Sequence, residues 1–175
     1  MSLYELVPHL LHPPHAVQSV AVTVRLSGEG LHFAFLVTGD LGSVVIPPPA
    51  APRRADGLSE TTCFEAFVRG DGAAYSEYNF SPSGEWAAYA FDDHRQGMRD
   101  TDAAMTIDCR RDSQTLAVDV ALAVTLPDHT RLAISAVVEE TDGTKSFWAL
   151  AHRAGPPDFH HETCFALRLA DIARA

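Results

Sequence analysis

The stretch 61–91, TTCFEAFVRGDGAAYSEYNFSPSGEWAAYAF, decides the fold of this chain. It contains three short runs of apolar and aromatic residues in which polar residues occupy many of the alternate positions. Two turn sequences, GDG at 70–72 and SPSGE at 81–85, separate the runs. Side chains alternate between the two faces of a strand, and Gly, Pro, Asp and Ser favour turns. The stretch therefore predicts three consecutive antiparallel strands.

The same pattern recurs along most of the chain, whereas helical spacing of apolar residues is hard to find. It predicts ten strands, at 20–26, 31–38, 62–68, 74–80, 86–91, 105–110, 116–124, 131–139, 146–151 and 164–169. Ten strands of this length pack as two sheets more readily than as one open sheet. The predicted fold class is all-β, an antiparallel two-sheet β-sandwich. The proline-rich segment 46–60, IPPPAAPRRADGLSE, is predicted to be an exposed, extended loop.

The length of the chain limits the number of domains, and its charge limits the kinds of partner. A chain of 175 residues with 46% hydrophobic residues suits one domain, predicted over 1–175. Its 13 basic and 23 acidic side chains give a formal charge of −10, which opposes binding to nucleic acid and to anionic lipid. The N-terminal segment lacks the features of a secretory signal, and no apolar run is long enough to span a bilayer. We therefore expect a cytoplasmic protein with no nucleic-acid or membrane partner, and nothing in the sequence predicts its oligomeric state.

Three predicted strands bring candidate binding residues to defined faces. Alternation places three sets of residues each on one face of its strand: Cys63, Glu65 and Phe67; Tyr75, Glu77 and Asn79; and Trp86, Ala88 and Ala90. If the three faces coincide, acids, an amide and an indole line one surface. Glu65 interrupts an apolar strand, where a carboxylate needs a partner. That partner is either an arginine in a structural ion pair or a ligand.

The segment 152–165, HRAGPPDFHHETCF, concentrates histidines and acids but does not predict a metal site. His160 and His161 are adjacent and would point to opposite sides of an extended chain. His152 lies eight residues before His160, so it could approach the pair only if the intervening loop folds back. The three cysteines lie far apart without C-x-x-C spacing. We expect no transition metal to be needed for folding and interpret this segment as a loop at the mouth of the sandwich.

Calcium is a possible cofactor because four aspartates, Asp92, Asp93, Asp100 and Asp102, lie in one loop region and calcium takes oxygen ligands. A solvated acidic loop is the interpretation favoured.

An ordered series of motifs resembles the DOMON-like group related to family 9 carbohydrate-binding modules. The series is C-F-E-A-F-V, Y-x-E-Y-N-F-S-P-S-G-E-W, S-F-W-A-L-A-H, P-D-F-H-H and a closing C-F-A-L, spread over 60–169. The resemblance implies a jelly-roll-like β-sandwich that holds a sugar or a haem. It also implies a binding module without catalytic residues.

The sugar-binding relatives clamp a terminal sugar between two tryptophans, and this chain contains two, Trp86 and Trp148. An indole covers the apolar face of a pyranose while polar groups bind the hydroxyls. The predicted ligand-binding residues are accordingly Trp86, Trp148, Glu65, Asn79, Arg95 and His152. The predicted ligand is a carbohydrate or a sugar-containing metabolite, with no cofactor required.

Two alternatives remain. Haem-binding relatives use a methionine with a histidine or lysine as axial ligands, which draws attention to Met98 and to Lys145 as candidates for a haem-binding, electron-transfer module. Glu65 and Glu77 could also serve as the acid and base of a glycoside hydrolase. Nothing in the sequence marks a position for the attacking water or the leaving group.

Overall fold

The computed structural model describes residues 2–172; Met1 and 173–175 of the predicted domain lie outside the described residues. Within residues 2–172 the chain forms twelve strands: β1 (Ser2–Pro8), β2 (Val17–Ser27), β3 (Gly30–Gly39), β4 (Cys63–Arg69), β5 (Tyr75–Phe80), β6 (Trp86–Phe91), β7 (Arg99–Asp100), β8 (Ala104–Arg111), β9 (Thr115–Ala123), β10 (Arg131–Glu139), β11 (Lys145–Ala149) and β12 (Leu167–Arg168). Four single-turn 3-10 helices are interspersed, at Leu41–Ser43, Leu58–Glu60, Glu162–Cys164 and Leu169–Asp171. None of the helices in residues 2–172 has the length and apolar character needed to cross a membrane.

All ten predicted strands have counterparts, and the strands β1 and β7 were not predicted. The last predicted strand is shorter than expected because a 3-10 helix, Glu162–Cys164, occupies its start. Strand β1 is followed by prolines and histidines that obscure its pattern. It forms because Leu6 is buried and Tyr4 packs against the core.

The strands form an all-β, antiparallel sheet that curls upon itself. One half has the order β8, β9, β3, β2, β1, and the other has the order β11, β10, β4, β5, β6, β7. Strand β1 belongs to both halves, because Ser2 to Leu6 pair with β2 whereas Val7 and Pro8 pair with β11. The all-β antiparallel prediction is confirmed. Hydrogen bonding continues through β1, so the strands form one continuous sheet. The predicted division into two separate sheets is not confirmed.

The core fills the inner face of the curl. Phe33 and Phe35 on β3 meet Phe64 on β4 and Phe80 on β5. The ring centroids of Phe35 and Phe64 are 4.7 Å apart, and those of Phe33 and Phe80 are 5.8 Å apart. Alternation along each strand brings these rings together, since the residues between them point outward. The two halves are thus held face to face by aromatic packing.

The segment 46–60 has no strand of its own, in line with the predicted loop, but it ends in the 3-10 helix Leu58–Glu60 and is tied to the sheet. The backbone N–H of Trp86 on β6 donates to the Arg53 carbonyl, and the Ala55 N–H donates to the Trp86 carbonyl. The segment therefore lies along this part of β6 and brings Arg54 and Asp56 to the outer face of the sheet.

We predict that the core depends on Phe35 and hardly at all on its neighbour Leu36. Phe35 is 1% exposed and Leu36, on the opposite face of β3, is 42% exposed. Phe35→Ala should lower the free energy of unfolding by about 3–5 kcal/mol, because it removes a fully buried ring and leaves a cavity. Leu36→Ala should cost less than about 1 kcal/mol. Urea denaturation of both variants checks this, and equal losses would contradict the assignment of faces.

Candidate ligand-binding site

A polar cluster lies on the outer face of strands β10, β4 and β5. Strand pairing places Glu65 opposite both Ser135 and Asn79, and Phe67 opposite Glu77. The predicted shared faces of β4 and β5 therefore coincide. We define the polar cluster as Glu65, Glu77, Asn79 and Ser135; these residues are 3%, 8%, 3% and 1% exposed. Four buried polar side chains on one face need partners, either from the protein or from a ligand.

Hydrogen bonds satisfy the polar cluster only in part. The Ser135 hydroxyl donates to Glu65 Oε2 at 2.9 Å, and Asn79 Nδ2 donates to Glu77 Oε1 at 2.9 Å. Asn79 Oδ1 is buried and has no hydrogen-bond partner among the described residues. An unpaired buried acceptor costs about 1–3 kcal/mol. The cluster thus retains an acceptor that the protein itself leaves unused.

The two carboxyl groups have raised pKa values. Burial, together with the nearby Glu77 carboxylate, raises the pKa of Glu65 to about 8, against the opposing effect of the Ser135 hydrogen bond. Burial also raises the pKa of Glu77, although the Asn79 hydrogen bond and the Arg95 charge favour its ionised form. Glu65 therefore carries a proton at neutral pH and can donate a hydrogen bond as well as accept one. Perturbed carboxyls of this kind are typical of functional sites.

An aromatic layer covers the polar cluster. Tyr75 stacks on Phe91 with centroids 4.8 Å apart and an interplanar angle of 9°. The loop between β11 and β12, residues 150–166, which we call the covering loop, adds His160 and Phe165. The His160 ring lies edge-on to Phe67 at 5.1 Å. These contacts bury the carboxyl groups and produce the desolvation that shifts their pKa values.

His160 connects the aromatic layer to the carboxylates. The Arg95 N–H donates to the Tyr75 hydroxyl oxygen at 3.1 Å, and that hydroxyl lies 2.7 Å from His160 Nδ1. The arrangement favours a tyrosine O–H that donates to Nδ1, which leaves the proton of a neutral ring on Nε2. His160 Nε2 lies 3.7 Å from Glu77 Oε2. Burial lowers the pKa of His160 to about 4, so the ring is neutral at physiological pH.

Asp158 fixes the covering loop against the loop that follows β6. Its carboxylate accepts from Arg95 at 3.0 Å, lies 2.9 Å from His94 Nε2, and is 3.7 Å from Arg153. Although burial alone would raise the pKa of Asp158, the hydrogen bonds from Arg95 and His94 hold it below its usual value. Arg95 has a φ of 53°, a left-handed conformation that is costly for a residue with a side chain. Its backbone N–H and its side chain are both used in the site, which explains why the strain is tolerated.

A cavity of about 170 Å³ opens beside Tyr75 and His160. It is smaller than the pockets that hold drug-sized ligands, which start at about 300 Å³. Its lining mixes donors, acceptors and rings: Arg69, Ala73, Tyr75, Asp93, His94, His160, His161 and Glu162. Such a lining suits a small ligand that carries many hydroxyl groups.

The segment 46–60 forms a second wall of the site. The Tyr89 hydroxyl donates to Asp56 Oδ1 at 2.7 Å, and Arg54 lies over the Tyr89 ring at 5.4 Å. Arg54 also pairs with Asp100 at 2.6 Å. Burial and the Asp56 hydrogen bond raise the pKa of Tyr89. Tyr89 sits opposite Glu77 in the pairing of β5 and β6, so this wall closes the site on the side of β6.

The structure brings together three of the six predicted site residues. Glu65 and Asn79 belong to the polar cluster, and Arg95 joins it through Tyr75 and Asp158. His152 lies apart from them. Its Nε2 is 2.7 Å from the Val7 carbonyl oxygen, and its ring lies 4.9 Å from that of His9.

The two tryptophans do not share the face of the polar cluster. Trp148 is 2% exposed on the inner face, and its Nε1 donates to the Ser146 hydroxyl at 2.9 Å. It offers no free ring face, so this structure does not support the prediction that Trp148 stacks on a ligand. Trp86 pairs with Phe80, whereas Asn79 pairs with Ala87. The indole of Trp86 therefore projects toward the core side, opposite to the predicted surface shared with the acids.

The residues considered above as haem, zinc or calcium ligands are exposed or bonded to other protein groups. Met98 is 59% exposed, and the Lys145 ammonium donates to the Glu60 carbonyl. His161 Nδ1 accepts from the Thr163 N–H at the start of a 3-10 helix, whereas His160 Nδ1 lies against the Tyr75 hydroxyl. Two of the four clustered aspartates pair with arginines: Asp92 with Arg99, and Asp100 with Arg54.

Several site residues were not predicted as ligand-binding residues. Ser135 carried a signal, because it is a lone hydroxyl in the apolar run LAISAVV. Tyr75 and His160 lie in segments that the sequence singled out, but their contact spans 85 residues. Asp158 and Tyr89 carried no signal, because their partners lie 63 and 33 residues away.

No protein-family model matches this sequence, and no curated protein matches it. A solved structure similar in fold is that of a "putative carbohydrate-binding protein" from Bacteroides uniformis ATCC 8492. The similarity has a TM-score of 0.65 and 13% sequence identity, and it covers 93% of this chain and 83% of that chain. At this identity the comparison establishes a common all-β fold.

We predict that Glu65→Gln stabilises the protein, and increasingly so as the pH rises. The usual carboxyl pKa is 4.5 and the folded value is about 8, so between these values the folded state binds more protons than the unfolded state. Folding stability from this group therefore falls as the pH rises through that window. Gln removes the penalty, and the gain should be near zero at pH 4.5 and about 2–4 kcal/mol at pH 8.

Urea denaturation at pH 5, 6.5 and 8 measures this effect, with the exposed Glu29→Gln as control. The control should match the parent at every pH. A Glu65→Gln variant that follows the same pH dependence as the parent would show that Glu65 is not protonated in the folded state.

Proposed function

We propose that this protein is a non-catalytic binding module for a carbohydrate or a sugar-containing metabolite. The observation that carries the proposal is the polar cluster and its aromatic cover, adjoining a small polar cavity on one face of the sheet. Sugars present hydroxyls that donate and accept, together with apolar C–H faces. A site with carboxyls, an amide, histidines and rings supplies complementary groups.

The ligand is proposed to bind in the cavity beside Tyr75 and His160. The edges of these two residues form its inner wall, while Arg69 and Glu162 at its rim supply charged hydrogen-bonding groups. Hydrogen bonds to charged groups are worth about 1.5–3 kcal/mol each. The polar cluster lies behind this wall and keeps His160 oriented through Glu77. In this arrangement the tyrosine and histidine take the place that we first assigned to tryptophan.

The sequence motifs and the structural neighbour support the same class of protein. The motif series resembles the DOMON-like group related to family 9 carbohydrate-binding modules, and the neighbour in fold is named for carbohydrate binding. We propose on this basis that the curled sheet is a jelly-roll-like β-sandwich in which β1 crosses from one layer to the other. The proposal for the ligand rests on the site, since a fold alone does not determine function.

Glycoside hydrolysis is a second candidate, favoured by one observation. A carboxyl with a pKa of about 8 is protonated at neutral pH, as a general acid must be. However, hydrolysis requires the glycosidic bond to lie between two carboxyls. Glu65 and Glu77 both lie beneath the aromatic cover, where a glycosidic bond has no access in this structure.

We predict that mutation of the cavity lining weakens sugar binding without unfolding the protein. A thermal-shift screen of monosaccharides, disaccharides, sugar acids and amino sugars should identify a ligand, which is then titrated calorimetrically. Arg69→Ala should weaken binding about tenfold, because it loses a hydrogen-bonding group worth about 1.4 kcal/mol. Tyr75→Phe should weaken binding by a similar factor, because His160 and the Arg95 N–H lose the hydroxyl that orients them at the cavity wall. Arg110→Ala should bind as the parent does, since Arg110 is exposed on β8 in the other half of the sheet.

Three outcomes would contradict the proposal. Equal affinity of the Arg69 and Tyr75 variants and the parent would exclude this cavity. Turnover of a chromogenic glycoside that is lost in Glu65→Gln would replace a binding module by an enzyme. A Soret absorption band in the protein as purified would replace the sugar by haem.

A further inference from the structure

A second cluster of ligating side chains lies at a corner of the fold, apart from the polar cluster. The connection between β1 and β2 meets the turn between β10 and β11 at this corner. Three residues contribute to the cluster, His15 from the first segment and Glu140 and Asp142 from the second. The two segments are separated by about 125 positions in the sequence.

Glu140 is the fixed member of the cluster. It is only 3% exposed, and its Oε1 accepts from the backbone N–H groups of His15 and Ala16, both at 2.9 Å. No described residue donates to its other oxygen. The two backbone donors orient the carboxylate in the way that outer-shell hydrogen bonds orient metal ligands. A buried carboxylate with a free oxygen is a site that favours a cation.

Asp142 and His15 are the adjustable members. Asp142 Oδ1 accepts from the Thr144 N–H at 2.8 Å, which leaves Oδ2 to face His15 Nδ1 at 3.2 Å. The side chains of His15 and Asp142 are 63% and 56% exposed. They can therefore rotate toward an ion without disturbing the core.

The distances suit a single divalent ion. One ligand atom from each of the three residues lies within 4.8 Å of the others. Zinc bonds of about 2.0–2.2 Å in tetrahedral geometry place two ligand atoms about 3.3 Å apart. The His15–Asp142 distance of 3.2 Å already meets this requirement, and a small rotation of these exposed side chains brings them toward Glu140.

We propose that His15, Glu140 and Asp142 bind one divalent transition-metal ion, with water completing its coordination. A histidine nitrogen with two carboxylate oxygens suits zinc and similar ions, whereas calcium takes oxygen ligands. The bound ion would join the β1–β2 connection to the β10–β11 turn and so stabilise the corner where β1 passes between the two halves. Hydrogen bonds from the His15 and Ala16 N–H groups to Glu140 already join the two segments, so the ion adds stability and is not required for folding.

Calorimetric titration of chelator-treated protein with zinc chloride tests the proposal. We expect one ion per chain and a rise in melting temperature with added zinc, because an ion that binds only the folded state stabilises it. His15→Gln and Asp142→Asn should each weaken binding at least tenfold. His12→Gln and Asp128→Asn are matched controls outside the cluster and should bind as the parent does. Calcium should produce no comparable shift.

Two results would overturn the proposal. The first is zinc affinity unchanged in the double variant His15→Gln, Asp142→Asn, or no stoichiometric binding at all. The second is binding lost in His12→Gln, which would assign the ion to the neighbouring histidines His9, His12 and His152. Neither result bears on the sugar site, whose lining shares no residue with this cluster.

Discussion

The structure depends on the burial of β10 on both of its faces and its pairing along both edges. Strand β4 pairs along one edge, and β11 and β12 share the other. One face of β10 packs into the core through Leu132 and Ile134, and the other lies among the outer cluster through Ala133 and Val137. A strand buried on both faces has an almost continuous apolar sequence, because both sets of alternating side chains face the interior. Any polar residue on it therefore needs a partner nearby. Ser135 meets this requirement by donating to Glu65.

The cover over the outer face of the sheet also explains the raised pKa values of Glu65 and Glu77. The outer face would be an ordinary solvated surface if the covering loop and segment 46–60 did not lie over it. Once covered, Glu65 can remain only by keeping its proton, and Glu77 by its contacts with Asn79 and Arg95. Both arrangements reduce folding stability compared with an apolar face. Retention of costly polar groups at one place is typical of a surface selected for binding rather than for stability.

The sequence predicted most of the fold because strand alternation and turn chemistry are local properties. Ten strands and the shared face of Glu65, Glu77 and Asn79 follow from residues close together in the chain. The register between neighbouring strands decides which residues share a face, and the sequence does not reveal that register. A shift of one position moves every side chain to the opposite face, so Trp86 could be placed with the acids although it pairs with Phe80.

The remaining site residues depend on contacts between distant segments. Asp158 meets Arg95, and Tyr75 meets His160, only after the covering loop has folded over the sheet. The position of that loop follows from the packing of Phe159 and Phe165, which resemble any other buried aromatic residues in the sequence. Local patterns could thus indicate that 152–165 mattered, but they could not identify its partners.

The site therefore depends on loops as well as on the strands that form the fold. The curled sheet is common to a protein with 13% sequence identity, so it tolerates almost complete replacement of side chains. Binding specificity requires particular groups in particular places, and here those groups are held by ion pairs between loops. Asp158 holds the covering loop against the β6–β7 loop by contacts with Arg95 and His94, and His94 also lines the cavity. Sequence changes in these loops would alter the cavity while leaving the sheet unchanged, because the loops contribute Asp93, His94, His160, His161 and Glu162 to its lining, beside Arg69 and Tyr75 from the strands.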